Sequence, residues 1–274
     1  MKLRNFLAVT IAAAATASMA GCGTTPADNT NKNTQTASDL AYIQDKGSLT
    51  IGYTLFAPMN YLDGDELIGF ETDFAKAVCD KLGVTPDFQE INWDAKEIEL
   101  TSKKIDCIWN GMTITDNLKE NLSISLPYME NRQVLIVKTD NVDKYTDSLD
   151  GANVVAESGS AGEELATSDE ASFEGSSFTP VDSQAKALMD VASGVSDVAV
   201  IDYVMSLGSV GEGTDYENLA IIDKNYPSEN YGVAFRKNSD VTAKVNEAMK
   251  ELKEDGTLDE IANKYNLEKL ITVE

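Results

Sequence analysis

The segment Ile105–Tyr128, IDCIWNGMTITDNLKENLSISLPY, decides the architecture. It reads as an apolar strand, a sharp polar turn, a short helix and a Pro-Tyr exit. A strand ending in Asn110-Gly111 lets backbone amides approach a small solute closely, because Gly111 carries no side chain. Thr115 is placed to cap a helix opening at Asp116, which leaves free N–H groups aimed at the same spot. Such a strand, turn and helix start form a cradle for an anion or zwitterion at the C-terminal end of a strand.

On either side of this segment, strand and helix patterns alternate. Leu49–Tyr53 (LTIGY) reads as a strand. Phe70, Phe74, Val78 and Leu82 recur every four residues and mark an amphipathic helix closed by Gly83. The strand DFQEI and a helix from Asp94 to about Lys103 lead into the opening segment. Gln133–Thr139 (QVLIVKT) begins a second series: NVVAES, a helix from Gly162, SSFTPVD, a helix through Ala185–Val191, DVAVID and a helix after Asp202. LAIID and YGVAFRK close it, and Asp240–Glu254 and Leu258–Tyr265 read as tail helices broken at Asp255-Gly256. Alternation of this kind predicts an α/β fold with mainly parallel sheets flanked by helices. Two series joined by QVLIVK and YGVAFRK predict two lobes connected by two crossing segments, with the tail returning to the first. The expected division is 40–130 plus 232–274 for the first lobe and 131–231 for the second. Both lobes would then offer strand C-termini to a shared cleft.

The front of the chain carries a compartment signal. Residues 1–21 combine Lys2, Arg4, an apolar run too short to span a bilayer, and Met19-Ala20-Gly21 before Cys22, the pattern of a signal peptide. Cys22 after Ala-Gly resembles a bacterial lipobox, with Met19 where Leu is more usual. That implies a palmitate-type lipid anchor; the alternative is ordinary cleavage with Cys22 an incidental thiol. Residues 22–39 are Thr/Asn-rich and almost free of apolar side chains, the composition of a disordered tether.

The formal charge is −24, from 46 acidic and 22 basic residues. It argues against nucleic acid and anionic lipid surfaces as partners, since both demand basic patches. The chain has no histidine, which excludes Ser-His-Asp and Cys-His catalysis and His-ligated zinc. Nothing in it points to a cofactor or a metal. Cys79 and Cys107 admit two readings, a lobe-internal disulfide or two buried thiols. The second is favoured, because a helix residue and a strand residue rarely present matching Cβ geometry.

The landmarks LTIGY…APMNY, LIGFETDFAKAV, INW, KKIDCIWNGMTIT, SLPY, LDGANVVAESGSAGEELA, ASGVSDVAVID and YGVAFRK stand in a telling order. From Gly47 to about Asn266 the chain resembles the family-3 (polar amino-acid) solute-binding proteins of bacterial ABC importers. The resemblance implies a type II periplasmic-binding-protein clamshell, expected to be a monomer, that closes on an amino acid and hands it to a membrane permease.

It also implies roles for particular residues. Phe56 and Trp93 fall where the family places aromatics on either side of the ligand, although core packing explains each as well. Tyr53 is expected as a pocket wall or as a strand-end aromatic in the core. Asn110, Gly111 and Thr113 match the turn that offers carbonyl, amide and hydroxyl to the ligand backbone. Asp202 stands where a carboxylate meets the ligand α-ammonium, and could equally cap a helix. Ser160, after Gly159, resembles a second anion cradle. Glu157 falls where relatives contact the ligand side chain and hints at a ligand with an extra amine or amide donor; an exposed strand-end acid is the alternative. Asp197 is expected to be structural. One departure stands out: the family's carboxylate-binding Arg aligns with Leu118. Lys119, about 100° away around a helix, cannot simply replace it.

Three functions follow for comparison. A transport receptor accounts for anchor, tether, lobes and cleft. A sensor would need a signalling segment after the last helix, whereas the sequence ends at Glu274. An exported enzyme of the cyclohexadienyl or arogenate dehydratase kind would need a positioned acid and base, for which Glu157 and Lys119 are a poor pair.

Overall fold

A computed structural model describes residues 38–274. The expected leader, the anchor at Cys22 and nearly all of the expected tether lie outside the described residues. The first half of the chain supplies strands β1 (Ser48–Tyr53), β2 (Tyr61–Asp63), β3 (Glu66–Ile68), β4 (Thr85–Glu90), β5 (Cys107–Ile108), β6 (Ser123–Ile124) and β7 (Met129–Asn131). The second half supplies β8 (Gln133–Lys138), β9 (Asn153–Glu157), β10 (Ser177–Val181), β11 (Val198–Asp202), β12 (Leu219–Ile222), β13 (Glu229–Tyr231) and β14 (Ala234–Phe235). The helices are α1 (Asp39–Lys46), α2 (Phe70–Leu82), α3 (Lys96–Thr101), α4 (Asp116–Asn121) and α5 (Val142–Tyr145). They continue with α6 (Ala161–Ala166), α7 (Gln184–Ser193), α8 (Tyr203–Ser209), α9 (Val241–Glu254) and α10 (Thr257–Lys264).

Two five-stranded sheets carry the lobes, in the orders β4-β1-β5-β14-β6 and β10-β9-β11-β8-β12. In each, one strand opposes the others: β14 runs antiparallel to β5 and β6, and β8 to β11 and β12. The two have a common cause, because each enters its sheet directly from an inter-lobe crossing. The crossing is made by β7 and β13, paired antiparallel with Met129 opposite Tyr231 and Asn131 opposite Glu229. A strand leaving that ribbon starts at the cleft and must run away from it, whereas the parallel strands end there. The crossing segments therefore lie one step before those the sequence suggested. QVLIVK is a strand inside the second sheet, and Ala234–Phe235 of YGVAFRK lies in the first.

Helix α2 forms because its apolar residues share one face, and Phe70, Phe74 and Val78 are fully buried. That face meets α9, whose Val245, Met249 and Leu252 repeat at helical spacing, so the tail returns to the first lobe. Phe74 packs edge-on against Trp109 at 5.4 Å and against Tyr128 at 5.9 Å, a floor beneath the Asn110-Gly111 turn. Cys79 and Cys107 are free, buried thiols, and burial pushes the Cys79 thiol up to about 12. Asp197 accepts from the Tyr145 hydroxyl at 2.8 Å and the Asn153 amide at 2.9 Å, a structural tie as its place in the sequence suggested. No helix among the described residues is long and apolar enough to cross a membrane.

Candidate ligand-binding site

The C-terminal ends of the parallel strands in both sheets converge on one cavity. Phe56 follows β1, Trp93 follows β4, and Asn110, Gly111 and Thr113 follow β5. From the other lobe come Glu157 at the end of β9, Ser160 just beyond it, Asp202 at the end of β11, and Gln184 after β10. All the non-atom space among them, open mouth included, is about 370 Å³. Of the nine residues singled out from sequence, eight line this cavity. Tyr53 does not: it closes β1 by packing edge-on against Phe88 at 6.2 Å, beside Glu90, and Thr54 and Leu55 reach the cleft in its place.

The turn does less for a ligand than its sequence promised. Asn110 spends its side chain inside the first lobe: its Oδ1 accepts from Thr54 N and Oγ1, and its Nδ2 donates to Thr54 O and Asn60 Oδ1. The Gly111 amide donates to Glu71 Oε1 at 2.7 Å, so it is occupied by the protein. The glycine is needed for another reason. With φ of +57°, a Cβ here would stand 2.3 Å from the Phe56 ring, which therefore lies against bare backbone. Thr115 and Ser160 do cap their helices, accepting from Leu118 N and Glu163 N, each at 3.2 Å. Glu163 in turn accepts from Gly159 N at 2.6 Å, so part of that cradle is also satisfied from within.

Negative charge dominates. Asp202 accepts from Asn131 Nδ2, from Gln184 Nε2 and from Gln133 Nε2 at 2.8 Å. It starts α8 but makes no side-chain cap bond, so its carboxylate belongs to the cleft. Asn131 and Gln133 also donate to Glu229 Oε2, at 3.0 and 3.1 Å, and Thr113 donates to the same oxygen at 2.9 Å. Two carboxylates thus share two amide donors at the crossing ribbon. Burial raises the Asp202 carboxyl despite its amide donors, and burial with the neighbouring Asp202 pushes Glu229 up to about 7. Glu157 is 4 % exposed, and its Oε1 has no hydrogen-bond partner. Burial first, and Asp202 second, push its carboxyl up to about 8 against the pull of Lys96. Beneath the turn, Glu71 is fully buried with Tyr128 and Gly111 donating to Oε1, and burial holds it at about 7.

Leu118 is no accident of exposure. It is buried in an apolar cluster with Ile91, Trp93, Met112 and Leu122, so core packing occupies the position that the resemblance gives to an Arg. Lys119 is solvated and paired with Asp116 at 3.0 Å. Several lining or supporting groups were not foreseen: Glu71, Lys96, Asn131, Gln133, Gln184 and Glu229. Glu71 had a signal, a carboxylate beside the apolar stripe of α2. So did Lys96, four residues before buried Leu100 on one helix face. Glu229 had none.

A two-lobe clamshell with a polar, enclosed cleft at its strand ends defines a solute-binding protein. The family model for bacterial extracellular solute-binding proteins, family 3, matches residues 49–268, and the chain belongs to that family. It is 32% identical over 275 residues to the L-cystine-binding protein TcyA of Bacillus subtilis (strain 168), covering 96% of each chain. Its fold matches an ABC uptake transporter substrate binding protein from Streptococcus pneumoniae with bound histidine, at TM-score 0.78 and 30% identity over 86% of this chain and 99% of that one. It also matches the ancestral amino acid-binding protein AncCDT-1, a precursor of cyclohexadienyl dehydratase, at TM-score 0.73 and 29% identity over 84% and 99%.

Proposed function

We propose that this chain is the substrate-binding component of an ABC importer and that it captures a small α-amino acid whose side chain carries a positive charge. The observation that carries the ligand class is Glu157: a buried carboxylate, facing the cavity, with one oxygen lacking any partner. A ligand cation opposite Glu157 would offset its desolvation, and Asp202 stands ready for the α-ammonium. Phe56 and Trp93 would hold the carbon chain between them. In this reading the signal sequence and Cys22 anchor the protein on the outer face of the cell membrane, where closure of the lobes presents a composite surface to the permease. It acts alone as a monomer and performs no chemistry on its ligand. The enzymatic reading keeps one favourable feature, a Glu157 carboxyl that burial pushes up to about 8. Against it, Lys119 lines a groove with Ile124 and Asn230 that does not include Glu157, so that pair of acid and base does not meet. No turnover of arogenate or prephenate is expected.

The pH dependence of binding tests the ligand class. In the ligand-free protein the raised Glu157 carboxyl favours the protonated, folded form, so its contribution to stability is lost as pH rises from the ordinary carboxylate range toward about 8. Bound cation requires the ionised form. The affinity for L-arginine should therefore tighten by up to about tenfold per pH unit between roughly pH 6 and 8, with proton release. Glu157→Gln should weaken binding and flatten the profile. An unchanged affinity across that range would contradict a cation at Glu157.

A further inference from the structure

Among the described residues, Lys96 is the one basic residue lining the space beside the Glu157 cavity, and no carboxylate pairs with it there. It opens α3 and is 8 % exposed. Its ammonium donates to Gly159 O at 2.8 Å and to Trp93 O at 3.3 Å, and lies 4.8 Å from the Trp93 ring centre. An ammonium has three N–H donors, and only two have acceptors here. Among the described residues no carboxylate reaches it within 4.0 Å: Glu157, Asp94, Glu97 and Glu163 act only at longer range. Burial without an adjacent anion is an expensive state for a lysine.

Its surroundings indicate which anion would suit it. Lys96 lines a space with Trp93, Thr113, Leu118, Gly159 and Ser160, and that space adjoins the Glu157 cavity, sharing Trp93, Thr113 and Ser160 with it. Among the described residues, the two adjoining spaces thus present a cation with no carboxylate within 4.0 Å and a carboxylate oxygen with no hydrogen-bond partner. A dipolar ligand satisfies both. Leu118 borders the same space as Lys96, so a cation is present within reach of the region that residue 118 leaves apolar. The approach is made possible by Gly159, at φ of +72°: a Cβ there would stand 3.1 Å from the Asp94 backbone and 3.4 Å from the Lys96 Nζ.

We propose that Lys96 binds the α-carboxylate of the amino acid, supplying from α3 the cation that Leu118 does not provide. This rests on the amino-acid reading of the cleft. Because the same ammonium already holds Gly159 of the opposite lobe, carboxylate binding and lobe closure share one group.

Calorimetry on the purified protein tests this with three matched pairs: L-arginine and agmatine, L-lysine and cadaverine, L-histidine and histamine. Each amine lacks only the carboxylate. Lys96→Met keeps the apolar stem over Trp93, and its melting curve reports that it folds. Expected is a loss of about 10- to 100-fold for the bound amino acid, the range of one charged hydrogen bond. The matching amine should change less than about threefold on that scale, and Lys96→Arg should restore most of the amino-acid affinity. An equal loss for acid and amine would make Lys96 a latch between lobes and overturn the proposal, as would no loss for either. A wild-type preference for the amines would also overturn it. Silence of the wild-type protein toward every pair would instead remove the cationic amino-acid reading on which the proposal stands.

Discussion

Asp202→Asn is expected to weaken ligand binding by about 10- to 100-fold, the worth of one charge-assisted hydrogen bond to an ammonium in a buried site. The carboxylate ends β11 and is fixed by amides from three separate elements: Asn131 on the crossing ribbon, Gln133 at the start of β8 and Gln184 at the start of α7. All three donate, so they hold an acceptor in place and leave its negative charge for the cleft. Asparagine fits the same volume but brings an NH2 group into a ring of donors. At least one N–H would lose its acceptor, at about 1–3 kcal/mol, and the melting temperature should fall while the fold persists. Calorimetric affinity and thermal melting of the variant check both consequences. Unchanged affinity would show that the α-ammonium does not meet Asp202.

Arg236→Ala is expected to cost about 3–5 kcal/mol of stability, because it strips a buried ion network of its cation. Arg236 donates through Nε to Asp39 at 2.9 Å, through Nη1 to the Ile105 carbonyl at 2.9 Å, and through Nη2 to Asp106 at 3.1 Å. It ties α1 and the approach to β5 to the strand by which the chain re-enters the first lobe. Asp106 also pairs with Lys46 and accepts from Thr50 N, so it would remain buried with half its cationic support. Urea unfolding should show the loss at low and at high salt alike, since a buried network is screened little. A change under about 1 kcal/mol would place these charges with weak surface pairs.

The features legible in the sequence were those written locally. Period-four apolar residues gave α2, and a polar residue directly after an apolar strand marked Glu157, Asp202 and the Asn110-Gly111 turn. Those positions converge because parallel strands ending at one edge bring their last residues together. The rest depended on partners far along the chain. Nothing near Gly111 shows that its amide is taken by Glu71, 40 residues away. The crossing ribbon uses two three-residue strands, Met-Glu-Asn and Glu-Asn-Tyr, too short for a period to appear. The apolar strand that follows the first of them is the stronger signal in the sequence, although it lies inside the second sheet. Gln133 and Gln184 looked like ordinary element starts, and only their meeting at Asp202 makes them part of the site. Tyr53 had the right position but the wrong face, since strand alternation turns it to Phe88.

The cleft is expected to bind a cationic α-amino acid. The most direct test is calorimetric titration of the purified protein, unfolded and refolded to strip carried-over ligand, against the common amino acids, their amides, cystine, polyamines and small peptides. Saturable binding of L-arginine, L-lysine or L-histidine, in preference to neutral and acidic amino acids, is the expected result. Binding of polyamines with silence across the amino acids would contradict it, and would mean that Leu118 marks a ligand without a carboxylate.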